Sequence, residues 1–186
     1  MKAGQIGGCL LIPFRYTKTE RKELLKSLKI LIDTREQLND HITDYFDKQN
    51  ITYKDKKLDF GDYSFYLPEN KDQGIMKDIY FNNEIVVERK RSLDELSSNF
   101  TQSRTQFENE LIRSNGSRFI LLIEDPEGYK NIINHNYNTQ YNPKSFLATL
   151  NTFRFRYGIE IMFLDNSLTG NFIYYLFRYY LREYLK

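Results

Sequence analysis

Short apolar runs alternate along the chain with stretches in which apolar residues recur at helical spacing. The runs have the length and composition of buried strands, and they lie at residues 29–33, 63–67, 84–90, 117–124 and 159–164, with a more polar strand expected at 52–59. Helices are predicted between them and at both ends, at residues 17–28, 38–49, 92–99, 101–114, from 143 onward and from 167 onward. This alternation is typical of an α/β domain with a mixed or parallel sheet.

Turn-forming residues divide the middle of the chain. Phe60-Gly61-Asp62 separates the strands at 52–59 and 63–67, which predicts a hairpin between these two strands. Residues 68–83 are polar and rich in turn formers, so we expect a loop before the next strand. Pro143 is expected to begin a helix, because the first turn does not need the N–H that proline lacks.

The length and composition predict one main domain with a short extension. A chain of 186 residues fits a single domain, which we place at residues 29–186 after an N-terminal extension with a short helix at 1–28. Hydrophobic residues make up 40% of the chain and charged residues 28%, which suffices for a buried core. No apolar run reaches the length of a membrane span, and none precedes Cys9 as in a signal peptide. We therefore expect a cytoplasmic protein without a membrane partner.

The residue counts restrict the metal chemistry that is available. The single cysteine, Cys9, excludes an intramolecular disulfide and a cysteine-rich zinc module, and two histidines are too few for a histidine-based zinc centre. Any metal should therefore be held by carboxylates, which favours Mg²⁺ or Mn²⁺. The net charge of +2 is too balanced for a polycation, so phosphate binding would depend on local patches.

Charged residues end the predicted strand at 84–90, where burial makes them costly. Side chains alternate along a strand, so Glu88 and Lys90 share one face and Arg89 points to the other. Asp62, next to Gly61, would direct its carboxylate towards Glu88. Two converging carboxylates favour a divalent cation, and a lysine beside them can stabilise charge on a phosphorus oxygen. An Asp followed by Glu-x-Lys on a strand is the PD-(D/E)xK nuclease signature, which is weak when it stands alone.

Three motifs in the same order make the signature specific. They resemble those of the XPF-type nuclease domain, and they read Leu31-Ile32-Asp33-Thr34-Arg35-Glu36, Leu58-Asp59-Phe60-Gly61-Asp62-Tyr63, and Val87-Glu88-Arg89-Lys90 with Asp94. The resemblance covers residues 29–164 and implies a restriction-endonuclease-like (PD-(D/E)xK) α/β fold, with a central mixed sheet flanked by helices. It also implies a DNA endonuclease that depends on Mg²⁺, with Mn²⁺ as a substitute. The organisation is most similar to small stand-alone members encoded by phages, which would act in a bacterial host cell.

The resemblance also assigns roles to individual residues. Asp62 and Glu88 match the principal metal ligands, Asp33 matches a further acid near the metal, and Lys90 matches the catalytic lysine. Supporting or DNA-contacting roles are implied for the remaining matched residues, which are Arg35, Glu36, Arg89, Asp94 and Arg104. Arg35 also fits a structural ion pair, and Asp94 a first-turn acid that the helix dipole favours. The chain departs from the family in the length of the 68–83 segment and in Arg104, which stands one position late.

The expected substrate is branched, flap or junction DNA. A Holliday-junction resolvase or a restriction-type nuclease on the same fold, and a non-catalytic DNA-binding subunit, are the alternatives. The presence of Asp62, Glu88 and Lys90 counts against a non-catalytic subunit. The last helix has a continuous apolar face that includes Tyr180, Tyr184 and Leu185. This face is either part of the core or the interface of a homodimer.

Overall fold

A computed structural model describes residues 16–186, and the expectations for residues 1–15, including Cys9, lie outside the described residues. The described elements are α1 (Lys18–Ser27), β1 (Lys29–Ile32), α2 (Asp40–Lys48), β2 (Tyr53–Asp55), β3 (Tyr63–Leu67), β4 (Ile79–Tyr80), β5 (Ile85–Lys90), α3 (Leu93–Thr101), α4 (Arg104–Arg113), β6 (Arg118–Ile123), α5 (Gly128–Ile133), α6 (Pro143–Tyr157), β7 (Glu160–Phe163) and α7 (Thr169–Tyr184). Short 3₁₀ turns occur at Lys71–Gln73 and Asn166–Leu168. Every helix within residues 16–186 is too short or too polar to cross a bilayer.

The strands form one mixed sheet in the order β2-β1-β3-β5-β6-β7, and β4 pairs with the end of β3. β1 and β2 are parallel, as are β5, β6 and β7, whereas β3 runs antiparallel to β1, β4 and β5. Helices pack on both faces of the sheet. This architecture confirms the predicted α/β fold with a central mixed sheet.

The predicted hairpin between residues 52–59 and 63–67 is wrong. β2 has only three residues and pairs in parallel with β1, with Leu31 opposite Lys54. β1 therefore lies between β2 and β3, and the turn at Gly61 carries the chain from one edge of β1 to the other. The buried strand β1 needs a partner on each side for its backbone groups, and the turn residues alone did not indicate which edge the chain would use.

Two hydrophobic cores lie on opposite faces of the sheet. We call the face covered by α1, α2 and α7 the α7 face, and Ile32, Phe65 and Val87 point into it. We call the opposite face the α6 face, where α3, α4, α5 and α6 pack mainly over β5, β6 and β7. A small cluster of Leu31, Leu58 and Tyr66 continues the α6 face over β1 and β3. Side-chain alternation in the strands produces this division.

Helix α7 belongs to the core over much of its length. The rings of Tyr180 and Tyr184 pack edge-on against Phe81, with centroids 6.2 and 4.9 Å apart, and Leu185 is buried. Of the two interpretations of this face, these contacts favour the core for Tyr180 and Tyr184, because the 68–83 segment brings Phe81 over them. That segment also contains β4, so it is more ordered than the predicted loop.

Candidate active site

Gly61 positions Asp62 between the ends of two strands. The φ angle of Gly61 is +71°, and a Cβ added there would lie 2.7 Å from Cβ of Val86, so both the backbone and the space require glycine. The N–H of Asp62 donates to the carbonyl of Val87 at 2.9 Å, and its carbonyl accepts from the N–H of Asp33 at 2.7 Å. The backbone of Asp62 is therefore held by residues next to β1 and in β5.

The structure brings Asp62, Glu88 and Lys90 to one cleft of about 220 Å³ on the α6 face. The other residues that line this cleft are Arg35, Asn99, Ser103, Gln106, Phe107 and Glu110. Nζ of Lys90 donates to Oε1 of Glu88 at 2.6 Å, and both side chains are buried. Oδ2 of Asp62 accepts from the N–H of Arg89 at 2.8 Å, which fixes the orientation of the Asp62 carboxylate.

Three acidic side chains, Asp62, Glu88 and Glu110, meet in this cleft. Burial raises the pKa of Asp62 well above its ordinary value, and the neighbouring Glu88 raises it further. Burial and the charge of Glu88 raise the pKa of Glu110 to about 7. Burial alone would lower the pKa of Lys90, but the Glu88 and Asp62 carboxylates outweigh burial and raise it. The raised pKa values of Asp62 and Glu110 show that ionised carboxylates are unfavourable together in this cleft, and a divalent cation would relieve their repulsion.

The donor groups fit a hard cation. Asp62 and Glu88 offer carboxylate oxygens, and Oδ1 of Asn99 is buried in the cleft lining without a hydrogen-bond partner among residues 16–186. Within the same residues, no three His, Cys, Asp or Glu side chains are gathered as a complete metal site. Mg²⁺ commonly binds through one or two carboxylates together with water and substrate phosphate oxygens. Asp62 and Glu88 could therefore hold Mg²⁺ without a third acidic ligand.

Glu110 was not singled out from the sequence. It lies on α4, and its Oε1 accepts from the N–H of Gly61 at 3.0 Å, so it supports the turn that carries Asp62. Ser103, Gln106 and Glu110 are spaced three or four residues apart and share one side of the helix. This spacing was the available signal, but it is also typical of an ordinary solvated helix face.

Asp33 is buried and saturated with hydrogen bonds. Oδ1 accepts from the backbone N–H and from Nε of Arg35 at 2.8 and 2.7 Å, and Oδ2 accepts from Nη2 of Arg35 and from the N–H of Leu58 at 3.2 and 2.6 Å. Burial alone would raise the pKa of Asp33, but these bonds outweigh burial and lower it. Asp33 thus holds Arg35 at the edge of the cleft, and its role as a metal ligand stays a prediction. The Arg35 side chain is about 60% exposed and is accessible to a phosphate.

Arg89 and Glu36 lie behind the cleft, on the α7 face. Nε of Arg89 donates to Oε1 of Glu36 at 2.7 Å, and Nη1 donates to Oε2 of Glu124 at 3.0 Å. Nη2 donates to the carbonyl oxygens of Gln37 and Leu38 at 3.0 and 3.3 Å. Burial raises the pKa of Glu36, and the charge of Arg89 opposes this rise. These contacts tie β5 to the segment after β1, which is a supporting role.

Asp94 and Arg104 do not line the cleft. The Asp94 carboxylate accepts from the backbone N–H and the side-chain amide of Asn138 at 2.7 and 2.9 Å, so it anchors the segment that precedes α6. The guanidinium of Arg104 lies 5.1 Å from the centroid of Phe153 and pairs with Glu108 at 3.4 Å. Both residues are engaged in contacts within the chain, and their implied DNA contacts stay predictions.

Comparisons with known proteins agree with this architecture. Residues 32–176 match the family described as the ERCC4 domain. The structure is similar to that of XPF from Aeropyrum pernix, with 21% identity and a TM-score of 0.58 over 82% of this chain and 61% of that chain. It is also similar to XPF from Aeropyrum pernix in complex with DNA, with 20% identity and a TM-score of 0.58 over 83% of this chain and 66% of that chain.

The chain thus spans somewhat less than two thirds of the length of these solved proteins. Comparison with curated protein sequences found no match. At about one fifth identity, the structural similarity supports the fold, whereas the family match rests on the sequence itself. Because the family match extends over most of the chain, from β1 into α7, the chain belongs to the ERCC4 domain family.

Proposed function

We propose that this protein is a metal-dependent DNA endonuclease that hydrolyses phosphodiester bonds in branched, flap or junction DNA. The observation that carries the proposal is the meeting of Asp62, Glu88 and Lys90 in one polar cleft. The family match and the similarity to an XPF in complex with DNA support DNA as the substrate class.

Each residue of the cleft has a different role in the proposed reaction. Asp62 and Glu88 would hold Mg²⁺, or Mn²⁺ as a substitute. The ion would act as a Lewis acid and lower the pKa of a water bound to it. Lys90 stays charged beside Glu88 and can donate to a phosphoryl oxygen whose charge grows in the transition state. Arg35, fixed by Asp33, can bind a neighbouring phosphate at the edge of the cleft. Glu110 and Gly61 maintain the orientation of Asp62.

A cleavage assay with labelled flap, fork, four-way junction and plain duplex DNAs tests this function. The wild-type protein should cut in Mg²⁺ or Mn²⁺ and stop in EDTA. Asp62→Asn and Glu88→Gln should abolish cutting while circular dichroism shows an unchanged fold. Glu23→Gln, at an exposed glutamate of α1, is the matched control and should cut normally.

The cutting pattern distinguishes the alternatives. Symmetric nicks in four-way junctions would indicate a resolvase, and cuts at fixed sequences in plain duplex would indicate a restriction-type nuclease. DNA binding without cutting of any substrate would indicate a non-catalytic subunit. Cutting that persists in EDTA or in Asp62→Asn would contradict the metal site.

We also propose that two copies associate through a groove along α7. This groove, which we call the α7 groove, is mainly apolar and is lined by Leu164, Leu168, Asn171, Phe172, Tyr175, Leu176 and Tyr179. Tyr175 and Tyr179 are 42% and 53% exposed, and apolar patches of this kind mark interfaces. β7 lies beside the groove and has no strand on its outer side within residues 16–186, so it offers backbone groups for pairing.

A further inference from the structure

Two lysines and two tyrosines form an ordered cluster on the α6 face, beside the cleft. Tyr66 of β3 lies opposite Tyr80 of β4, and their rings stack with centroids 5.2 Å apart and planes 15° apart. Nζ of Lys54 lies 3.9 Å from the centroid of Tyr66 and donates to the hydroxyl of Tyr80 at 3.3 Å. Nζ of Lys56 lies 5.0 Å from the centroid of Tyr80. We call these four residues the Lys–Tyr platform.

The platform is accessible because the helices of the α6 face are concentrated elsewhere. The core formed by α3, α4, α5 and α6 covers β5, β6 and β7, whereas the cluster beneath the platform consists of Leu31, Leu58 and Tyr66 and includes no helical residue. Tyr80 is 39% exposed, and Lys54 and Lys56 are half-buried. Within residues 16–186, no helix covers the two ammonium groups in the way that α4 covers Lys90.

The positive charge of the platform is not neutralised by an ion pair. Across the described part of the chain, neither Lys54 nor Lys56 lies within 4.0 Å of a carboxylate oxygen, unlike most of the lysines and arginines near the cleft. Lys29 lies opposite Tyr66 on the same face and adds a third positive charge. One nearby acid is Asp78, which accepts from the Tyr80 hydroxyl at 3.2 Å, whereas Asp55, between the two lysines in the chain, points to the opposite face of β2. The cluster therefore keeps a net positive charge.

The platform and the cleft lie on the same side of the sheet. Asp62, Ser64 and Tyr66 alternate with the α7-face residues Tyr63 and Phe65, so Asp62 and Tyr66 point to the same side of the sheet. Four residues of strand place them about 13 Å apart. This separation corresponds to roughly four base-pair steps of duplex, since each strand rises about 3.4 Å per step. A DNA arm whose phosphodiester lies in the cleft can therefore reach the platform.

The tyrosine pair explains why the lysines are held in place. Cation–π contacts and the hydrogen bond to Tyr80 restrict the flexible Lys54 side chain before any ligand binds. The two rings stack on each other, Lys54 lies over Tyr66, and Lys56 lies over Tyr80, so the groups that the platform offers to a ligand are chiefly ammonium groups. Ammonium groups recognise phosphate without reading sequence.

We propose that the Lys–Tyr platform binds the phosphodiester backbone of the DNA arm that leaves the cleft. The inference rests on the proposed function, because it takes DNA as the substrate. It also assigns a DNA-binding role to the 68–83 segment, since this segment contains β4 and Tyr80. The segment thus extends the DNA-binding surface along the sheet.

Fluorescence anisotropy with the full chain and a labelled branched DNA in EDTA tests the platform without cleavage. Lys54→Gln with Lys56→Gln should weaken binding roughly 10- to 60-fold at 0.1 M salt and reduce the slope of log K against log salt by about 1.8, since each lost phosphate contact contributes about 0.9. Lys56→Gln alone keeps the contacts of Lys54 and should reduce the slope by about 0.9.

The matched control removes two lysines from the opposite face. Lys22→Gln with Lys48→Gln, in α1 and α2, makes the same change in total charge and should leave the affinity and the salt slope unchanged. Equal losses in both double variants, or a wild-type affinity and slope in the platform variant, would overturn the platform. A wild-type protein that binds DNA but never cuts it in Mg²⁺ would overturn the endonuclease function alone, because the platform is judged by affinities in EDTA.

Discussion

Arg89 and Lys90 are neighbours in β5, but their side chains serve different parts of the molecule. Lys90 faces the cleft and donates to Glu88. Arg89 faces the α7 side, where its side chain is 2% exposed and contacts Glu36 and Glu124. The alternation of side chains along a strand therefore separates a group that can contact the substrate from a group that supports the fold.

Arg89→Ala should destabilise the protein by about 3–5 kcal/mol, because it removes the guanidinium that pairs with the two buried carboxylates of Glu36 and Glu124. Arg91→Ala is the neighbouring control. The Arg91 side chain is 49% exposed and pairs with Glu95, so its removal should change the free energy of unfolding by less than about 1 kcal/mol. Urea unfolding measures both values, and equal effects of the two substitutions would contradict a structural role for Arg89.

Lys90→Gln should slow the chemical step on the order of 100-fold or more, because it removes a preorganised donor to the transition-state charge. DNA affinity in EDTA should fall far less, since many cations share the phosphates. Single-turnover cleavage at saturating protein and anisotropy separate the two quantities. Lys130→Gln, at an exposed lysine paired with Glu127, is the control. A collapse of affinity with an unchanged single-turnover rate would assign Lys90 to binding instead.

The residues of the candidate site were only partly predictable from the sequence. Strand alternation placed Glu88 and Lys90 on one face, and Asp62 could be named with them because three motifs in the same order resemble those of the XPF-type nuclease domain. Glu110 could not, because its contact with Gly61 joins residues that lie far apart in the chain. Asp33 belongs to a recognised motif, but only the structure shows that its oxygens are occupied by Arg35 and Leu58.

The turn before β3 is the element on which the position of Asp62 depends. Gly61→Ala should be strongly destabilising, because the added methyl meets Val86 in the core and the φ angle of +71° disfavours alanine. Gly116→Ala isolates the backbone effect, since Gly116 has a φ angle of +95° with no atom within 4 Å of the added Cβ. In urea unfolding, Gly61→Ala should lower the free energy of unfolding by about 1–3 kcal/mol more than Gly116→Ala does. The Gly61→Ala protein should also lose cleavage. Equal stabilities of the two variants would contradict this prediction, because they would show that the turn accommodates the added methyl group at residue 61.

Element types were more predictable than element pairing. The apolar runs that became β1, β5 and β6 and the spacing that became α3 and α6 depend on local periodicity, which is encoded along the chain. The pairing of β2 with β1 depends on which edge of β1 was free, and no local signal encodes that choice. Helix α5 was not predicted, because its six residues are too few to show a periodic pattern.

Over the whole molecule, the two faces of the sheet carry different surfaces. The cleft and the Lys–Tyr platform lie on the α6 face, whereas the α7 groove lies along the helix that covers the opposite face. Association through the α7 groove would therefore leave both candidate DNA surfaces open. Two copies could then hold two arms of a branched DNA at a set angle.

Tyr175→Asp with Tyr179→Asp should convert a dimer into a folded monomer, because it places two charges in the lining of the α7 groove. The earlier candidates Tyr180 and Tyr184 are unsuitable, since their rings pack on Phe81 and their replacement would disturb the core. Tyr129→Asp, at a tyrosine of α5 that is 56% exposed, is the control and should leave the dimer intact. Light scattering across a concentration series should give twice the chain mass of 22.4 kDa for the wild type and the chain mass for the groove variant. A wild-type protein that stays at 22.4 kDa at every concentration and still prefers branched DNA would contradict the dimer.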